Sequence, residues 1–430
     1  MMAAFPRIPM GEFIAAGEAE LKTGPFGTQL KASEYTEEGT PVINVRNIGM
    51  GSIKADKLEF ISDATRDRLS SHLLRPGDIV FGRKGAVERH VFIRKEQDGW
   101  FQGSDCLRLR FNSPRIEPLF ASYFFITEQH QRWMMNQCSH GATMSSLNQD
   151  ILERIDLPCP PLPVQRRIAG ILSAYDELME NSQRRIRLLE AMARALYRQW
   201  FVHFRIPDFA KASSGRPGHE KIQGEGAQRS DIPQGWEVRK LADFVTTKYG
   251  YTESTNVEPV GPKYLRGMDI NKTSFIDWSE VPYCPISPED HEAYRLRVGD
   301  VVVIRMADPG KVGIVEKEVD AVFASYLIRV APKDNRLSPY FLFYLMESAE
   351  YYAYITGASS GTTRKSASAG VIADYQFVLP PQKLVEQFEG RVSEIRSLLT
   401  TLLRQIVNLR RTRDLLLPRL MSGQVNLPEN

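Results

Sequence analysis

An apolar seam written twice constrains this chain more than any other feature. Ile168, Leu172, Tyr175, Met179, Ile186, Leu189, Ala193 and Leu196 follow at alternating steps of four and three residues once Ser182 fills the gap. Adding 220 to each number gives Phe388, Val392, Ile395, Leu399, Leu402, Ile406, Leu409, Arg413 and Leu416, the same register with one polar member. A step of 3.5 residues held over four heptads is the pattern of a left-handed coiled coil. One such stripe is ordinarily the buried face of a core helix. Two matched stripes, each longer than a usual globular helix, favour pairing with each other. "PPLPVQRRI" (Pro160 to Ile168) opens the first stretch and "PPQKLVEQF" (Pro380 to Phe388) the second. Pro163 suits a first helical turn, Pro418 is expected to end the second helix, and the turns near Val202 are expected to be unpaired.

The duplication extends upstream. "IPMG" at Ile8 answers "IPQG" at Ile232, "RPGDIVFGRKG" at Arg75 answers "RVGDVVVIRMA" at Arg297, and "NI" at Asn47 answers "DI" at Asp269, with offsets between 220 and 224. The 430 residues therefore divide into a first head (1–157), a first long helix (158–204), a polar Gly-rich linker (205–232), a second head (233–378), and a second long helix with its tail (379–430). Short β-branched runs such as "TPVINVRNI", "GDIVFG", "CLRLRF", "GDVVVI" and "FASYLIRVA" predict strands. "PLFASYFFITEQHQRWMM" and "SPYFLFYLMESAEYYAYI" predict short helices. Each head is an α+β globule. Each also enters its long helix at the N-terminal end, so antiparallel pairing puts the heads at opposite ends, related by a pseudo-two-fold axis. Duplex DNA has a local two-fold symmetry that such an object can match.

Apolar content of 42% and charged content of 25% are those of a globular protein. No basic stretch followed by an apolar run opens the chain, and "LFASYFFI" and "YFLFYLM" are too short to span a bilayer, so a cytoplasmic protein without membrane contact is expected. Cys106, Cys138, Cys159 and Cys284 lack metal-ligand spacing and read as buried small hydrophobes. Net charge is +3. Lys and Arg against Asp and Glu number 19 to 20 in residues 1–157 and 16 to 19 in 233–378, but 7 to 4 in 163–204 and 8 to 4 in 379–420. Slightly acidic heads argue against purely electrostatic DNA binding and leave base reading open.

No GxGxxG, GxxxxGK[ST] or HExxH is present and the histidines have no metal spacing, so neither catalytic nor metal-binding residues are assigned. Recognition needs polar side chains on loops that reach base edges. Thr28, Gln29 and Lys31 of "PFGTQLK" qualify, as do Arg46 with Asn47 and Arg266 with Asp269 after predicted strands. Arg83, Lys84 and Arg305 follow the two GD turns, and Arg364 with Lys365 lie in a Ser/Thr-rich loop. For any single one, a solvated surface charge is the commoner explanation.

The order head, long helix, head, long helix, with "PPLPVQRRIAGIL", "RPGDIVFGRKG", "RVGDVVVIR", "IPQGWEVRKLADF" and "LLLPRLMSGQVNL", resembles the specificity subunit of a type I restriction–modification system across nearly the whole chain. The resemblance implies that each head, a target-recognition domain, reads one half of a split sequence in double-stranded DNA. It implies that the helices pair antiparallel, set the spacing and dock methyltransferase subunits, two in number. Those partners would bind S-adenosylmethionine and methylate adenine, and restriction/translocase subunits would use ATP and Mg. This chain would bind no cofactor and catalyse no step. Two departures stand out: Val385 occupies the place of Gln165, and the first head lacks the "GWE" of the second. Two other readings stay open, a single-chain restriction or methyltransferase enzyme with an unrecognised site, and a coiled-coil adaptor that binds only proteins. Activity and DNA binding of the purified chain separate the three.

Overall fold

The computed structural model of the protein describes residues 5–25, 27, 29–138, 146–207, 232–271, 273–359 and 365–425. Most of the expected linker, 208–231, lies outside these residues. Contacts divide the chain into two compact units, Met1–Asn181 with Gln405–Asn430, and Ser182–Arg404. Each takes in one head together with parts of both long helices, because the apolar face of each helix packs into a head's core.

In the first unit, five strands lie in the order Ala19–Thr23, Cys106–Phe111, Ile79–Gly82, His90–Phe92 and Met50–Gly51, antiparallel except for the last pair. A second sheet orders Tyr35–Thr36, Glu59–Ile61, Thr40–Ile43 and Phe101–Gln102, its last pair parallel. The run Ile79–Gly82 is buried throughout, as expected of a central strand. Helices Pro118–Ile126 and Glu128–Cys138 follow, the first with Pro118 in its opening turn. Phe81, Leu107, Phe120 and Phe125 form one core with Ile168 and Leu172 from the first long helix and Leu417, Leu420 and Met421 from the second. Burying each such side chain contributes about 1.5–3 kcal/mol. Three histidines are buried in this unit. His90 Nε2 lies 2.8 Å from Ser122 Oγ, and its ring, like that of His130, packs against Phe125. Burial pushes the pKa of His90 and of His130 down to about 3 and that of His72 to about 4.

The second unit repeats the plan with Val245–Tyr249, Leu327–Pro332, Val301–Ile304 and Val312–Ile314 in one sheet, and Lys263–Leu265 parallel to Ala321–Phe323 in another. Helices Pro339–Glu347 and Ala349–Ala358 follow. The core joins Phe341, Tyr344 and Phe377 to Tyr197, Trp200 and Phe201 from the first long helix and Phe388 and Val392 from the second. Among the described residues no helix is long and apolar enough to cross a membrane.

Strand register corrects the expected correspondence at the N-terminus. Ile8 pairs with Leu157, and Arg239 pairs with Phe377, which stands where Leu157 does 220 residues earlier. The counterpart of Ile8 is therefore Arg239, at an offset of 231, and not Ile232. The offset falls to 226 at Thr23 and Tyr249, which pair with equivalent residues of the next strand. Ladder pairing, not a similar tetrapeptide, sets equivalence, and Ile232 instead joins Trp236 in the second core.

The first long helix spans Leu162–Tyr197 and passes into a π-helical turn, Arg198–Val202. The second spans Gln382–Met421. Seam residues Ile168, Leu172, Met179, Ile186, Phe388, Val392, Leu399, Leu402 and Ile406 are buried, while Tyr175, Leu189, Ile395 and Leu409 are half-buried. At the far ends the buried stripe slips by one residue. Leu196 and Leu416 are half-buried, and the adjacent Tyr197 and Leu417 are buried, because the last turns of each helix face a head's core. The turns near Val202 are accordingly packed, with Phe201 5.1 Å from Phe388 and 6.0 Å from Trp236 between ring centroids.

Pro418 does not end the second helix, which continues to Met421. The ring removes one ladder bond, to the carbonyl of Asp414, and the burial of Leu417, Leu420 and Met421 offsets that cost. The stop is Gly423, at φ +73°. Its N–H donates to Leu420 O, and that of Gln424 to Arg419 O, a Schellman closure that needs a left-handed residue.

Candidate nucleic-acid interface

The two GD motifs close turns that launch the central strands. Asp78 Oδ2 accepts the backbone N–H of Arg75 at 2.8 Å, and Asp300 Oδ2 that of Arg297 at 2.8 Å. Gly77 and Gly299 sit at φ +92° and +93°, where an L side chain is strained. Asp78 is held further by Arg110, at 2.6 and 2.7 Å. Burial raises the carboxyl pKa of Asp300, against the N–H of Arg297 and the charges of Arg329 and Arg297. Each strand then delivers an arginine, Arg83 or Arg305.

Around those arginines the two heads make the same bonds. Arg83 N–H donates to Asp105 O and its carbonyl accepts from Leu147, both at 2.8 Å; Arg305 N–H donates to Tyr326 O and its carbonyl accepts from Ala367, both at 2.9 Å. Gly24 N–H donates to Cys106 O and Gly250 N–H to Leu327 O. Thr23 Oγ1 accepts from Gln149 Nε2 at 3.4 Å, and Tyr249 Oη accepts the N–H of Ala369 at 3.0 Å. A 3₁₀ turn rests on each strand end, Val45–Asn47 in one head and Gly267–Asp269 in the other. A Cβ on Gly82 would lie 3.4 Å from Val45, and one on Gly267 would lie 3.5 Å from Ile304. The glycine of this contact has changed sides between the heads, and the close packing is kept.

The candidate residues have different fates. Thr28 and Arg364 lie outside the described residues. Asn47 is fully buried, and its amide is spent on the main chain. Its Oδ1 accepts from Asn44 N–H at 3.2 Å, and its Nδ2 donates to the carbonyls of Lys54 and Asp56. It holds the turn and has no polar group left for a base. Asp269 does the same work, accepting the N–H of Arg266 at 2.8 Å and binding its guanidinium at 2.8 and 3.0 Å. The hydrogen bonds that Arg266 donates to Asp269 raise its pKa in turn. Arg46 is exposed and paired with Glu59 at 2.6 Å, and Lys84 with Asp105 at 3.2 Å. Arg305 packs over Tyr249, 4.9 Å from the ring centroid. Arg83 is half-buried and Lys365 exposed. Gln29 and Lys31 are exposed on a neighbouring loop that Arg68 and Glu34 tie down.

Several members of the cluster escaped the sequence reading. Glu59 and Asp105 hold cations, and Tyr249, Met268 and Tyr326 are large, exposed side chains (43%, 58% and 52%) on the same loops of the second head. Met268 was findable: it stands 222 residues after Arg46, the offset that also relates Arg83 to Arg305. Among the described residues no three or more His, Cys, Asp or Glu side chains are grouped to hold a metal. Cys106, Cys138 and Cys284 are buried, whereas Cys159 is only half-buried.

Each head is locked to its long helix by polar groups, and the departure at Val385 is compensated. Gln165 is fully buried. It accepts the N–H of Glu117 at 2.9 Å and donates to the carbonyls of Arg115 and Pro160 at 2.8 Å. In the second unit Val385 is buried in the apolar core, and Glu389, one turn on, binds the start of Pro339–Glu347 instead, accepting N–H groups inside its first turn, including that of Tyr340 at 3.1 Å.

The chain matches the family described as type I restriction modification DNA specificity domain twice, over residues 24–191 and 233–407. It is 24% identical over 319 residues to the type I restriction enzyme MjaIX specificity subunit of Methanocaldococcus jannaschii, covering 71% of this chain and 69% of the relative. It is 22% identical over 406 residues to the HindI specificity subunit of Haemophilus influenzae, covering 82% and 87%. The S subunit of a type I restriction–modification system from M. genitalium has a similar fold, with a TM-score of 0.59 at 15% identity over 99% of this chain and 96% of that one.

Proposed function

The chain belongs to the family of type I restriction–modification DNA specificity domains, and from that premise we propose that it chooses the DNA sequence for such a complex, one half-site to each head. The observation that carries this reading is the doubled family match, laid over two heads whose loops make the same bonds around Arg83 and Arg305.

In the same proposal the long helices pair antiparallel along their length and fix the distance between half-sites. Two contacts support this. In the first unit Asp176, in the first half of the first helix, binds Arg413, late in the second, at 2.6 Å. In the second unit Tyr197, late in the first helix, packs on Phe388, early in the second. The helices also dock two methyltransferase subunits. Gly170 and Gly390 are exposed, 220 residues apart, with nothing within 4 Å of where a Cβ would stand. Glycine in an exposed helix costs about 1 kcal/mol relative to alanine, and a partner seated closely at both sites accounts for it. Leu178 and Leu398, also 220 apart, are exposed at 48% and 42%. S-adenosylmethionine belongs to those partners, and ATP and Mg to restriction/translocase subunits, while this chain carries out no chemical step.

The test is adenine-methylation mapping of the host genome with and without the gene. A bipartite methylated sequence should vanish with the gene. Methyl transfer to DNA by the rigorously purified single chain would contradict the reading.

A further inference from the structure

The two 3₁₀ turns differ at one outward position. Arg46 stands at the apex in the first head and Met268 in the second, each directly before the residue that ties the turn down, Asn47 or Asp269. The residue before each apex packs on the end of the strand that delivers Arg83 or Arg305, Val45 against Gly82 and Gly267 against Ile304. Arg46 is oriented by Glu59 at 2.6 Å, whose other carboxylate oxygen accepts from Asn44 Nδ2 at 2.6 Å. Met268 has 58% of its surface exposed, a long apolar side chain with no internal reason to face solvent.

Resting on the function proposed above, we propose that this apex is the base-discriminating position of each head, with the strand-end arginine beside it as second contact. The guanidinium of Arg46 matches the O6 and N7 acceptors of guanine, and preorganisation by Glu59 suits a fixed bidentate contact. The side chain of Met268 has no donor, and suits the methyl group of thymine in the major groove. Asn47 and Asp269 position the turns and contact no base.

The experiment is methylation mapping of the whole complex, this chain co-expressed with its partner subunits, carrying Met268→Arg, Met268→Ala or Arg46→Met. Met268→Arg should move one base pair of the second half-site toward guanine by roughly tenfold or more, with the first half-site and the spacer unchanged. Met268→Ala should relax that same position, and Arg46→Met should alter one position of the first half-site only. Competition binding by the complex to duplexes carrying each base at that position reads the same preference where methylation is weak. Unchanged half-sites in an active Met268→Arg complex overturn the proposal and leave the family reading intact. Changes in both half-sites from one apex substitution overturn it too. A wild-type complex whose methylation follows no bipartite sequence removes the family reading, and this proposal with it.

Discussion

At the same place on the two long helices, 220 residues apart, the first unit has Asp176 and the second has Arg396. Asp176 accepts from Tyr123 Oη and from Arg413 of the other helix, both at 2.6 Å, and both members of this ion pair stay about one-fifth exposed. Arg396 is fully buried, bidentate to Glu316 at 2.6 and 2.7 Å and bonded to Ser274. Burial alone would lower its pKa, and the hydrogen bonds and charge of Glu316 raise it instead. The first unit buries three histidines, while none is buried among the described residues of the second. One backbone plan thus tolerates opposite charges at its junctions, provided each buried polar group finds a local partner.

The largest difference should appear in acid. His72, His90 and His130 have pKa values depressed by burial, with Lys22 and Arg108 near His72, His130 near His90 and Arg7 near His130 adding to it. Their contribution is complete above the ordinary value of 6.5 and is lost as pH falls toward about 4 and about 3. Each costs about 1.4 kcal/mol per pH unit within that window. Glu389 and Asp300 of the second unit have raised pKa values, chiefly through burial, and shift its balance in the opposite sense. Amide exchange on the full chain from pH 7 to 4.5 should release Ile79–Gly82 and Cys106–Phe111 before Val301–Ile304. Simultaneous release would show that the histidines do not set acid stability.

Arg396→Met should come next, removing a fully buried cation and leaving the largely buried Glu316 without it, at a cost of about 3 kcal/mol. Arg413→Met removes a pair that stays about one-fifth exposed and should cost about 1 kcal/mol. Amide exchange resolved by unit checks both, and equal costs would erase the contrast.

The smallest effect concerns the glutamine lock. Gln165→Val strands one N–H and two carbonyls and should cost about 1–3 kcal/mol. Adding Ala169→Glu, which copies the position of Glu389, should recover part of that loss in thermal unfolding. No recovery would mean that the two locks are not interchangeable.

The helices and the strand-end arginines were legible because their offset is nearly constant, and constant spacing needs no side-chain geometry. Ile8 was mismatched because the loops before the central strands differ in length, so a similar tetrapeptide outweighed the true register. Short polar side chains after a strand fit both base reading and turn closure, and hydrogen bonds tie Asn47 and Asp269 to their turns. Arg396 was invisible, since its burial depends on Glu316 and Ser274, far away in sequence. Pro418 was misjudged because a local rule took no account of the apolar residues around it.

The central claim is that each head reads its own half-site. It is tested most directly by replacing residues 1–165 with the corresponding segment of another family member, so that Gln165 travels with the groups it binds, and mapping adenine methylation by the assembled complex. The account predicts a new first half-site with the second half-site and the spacer unchanged. A change in both half-sites, or in neither, from an active complex would contradict it.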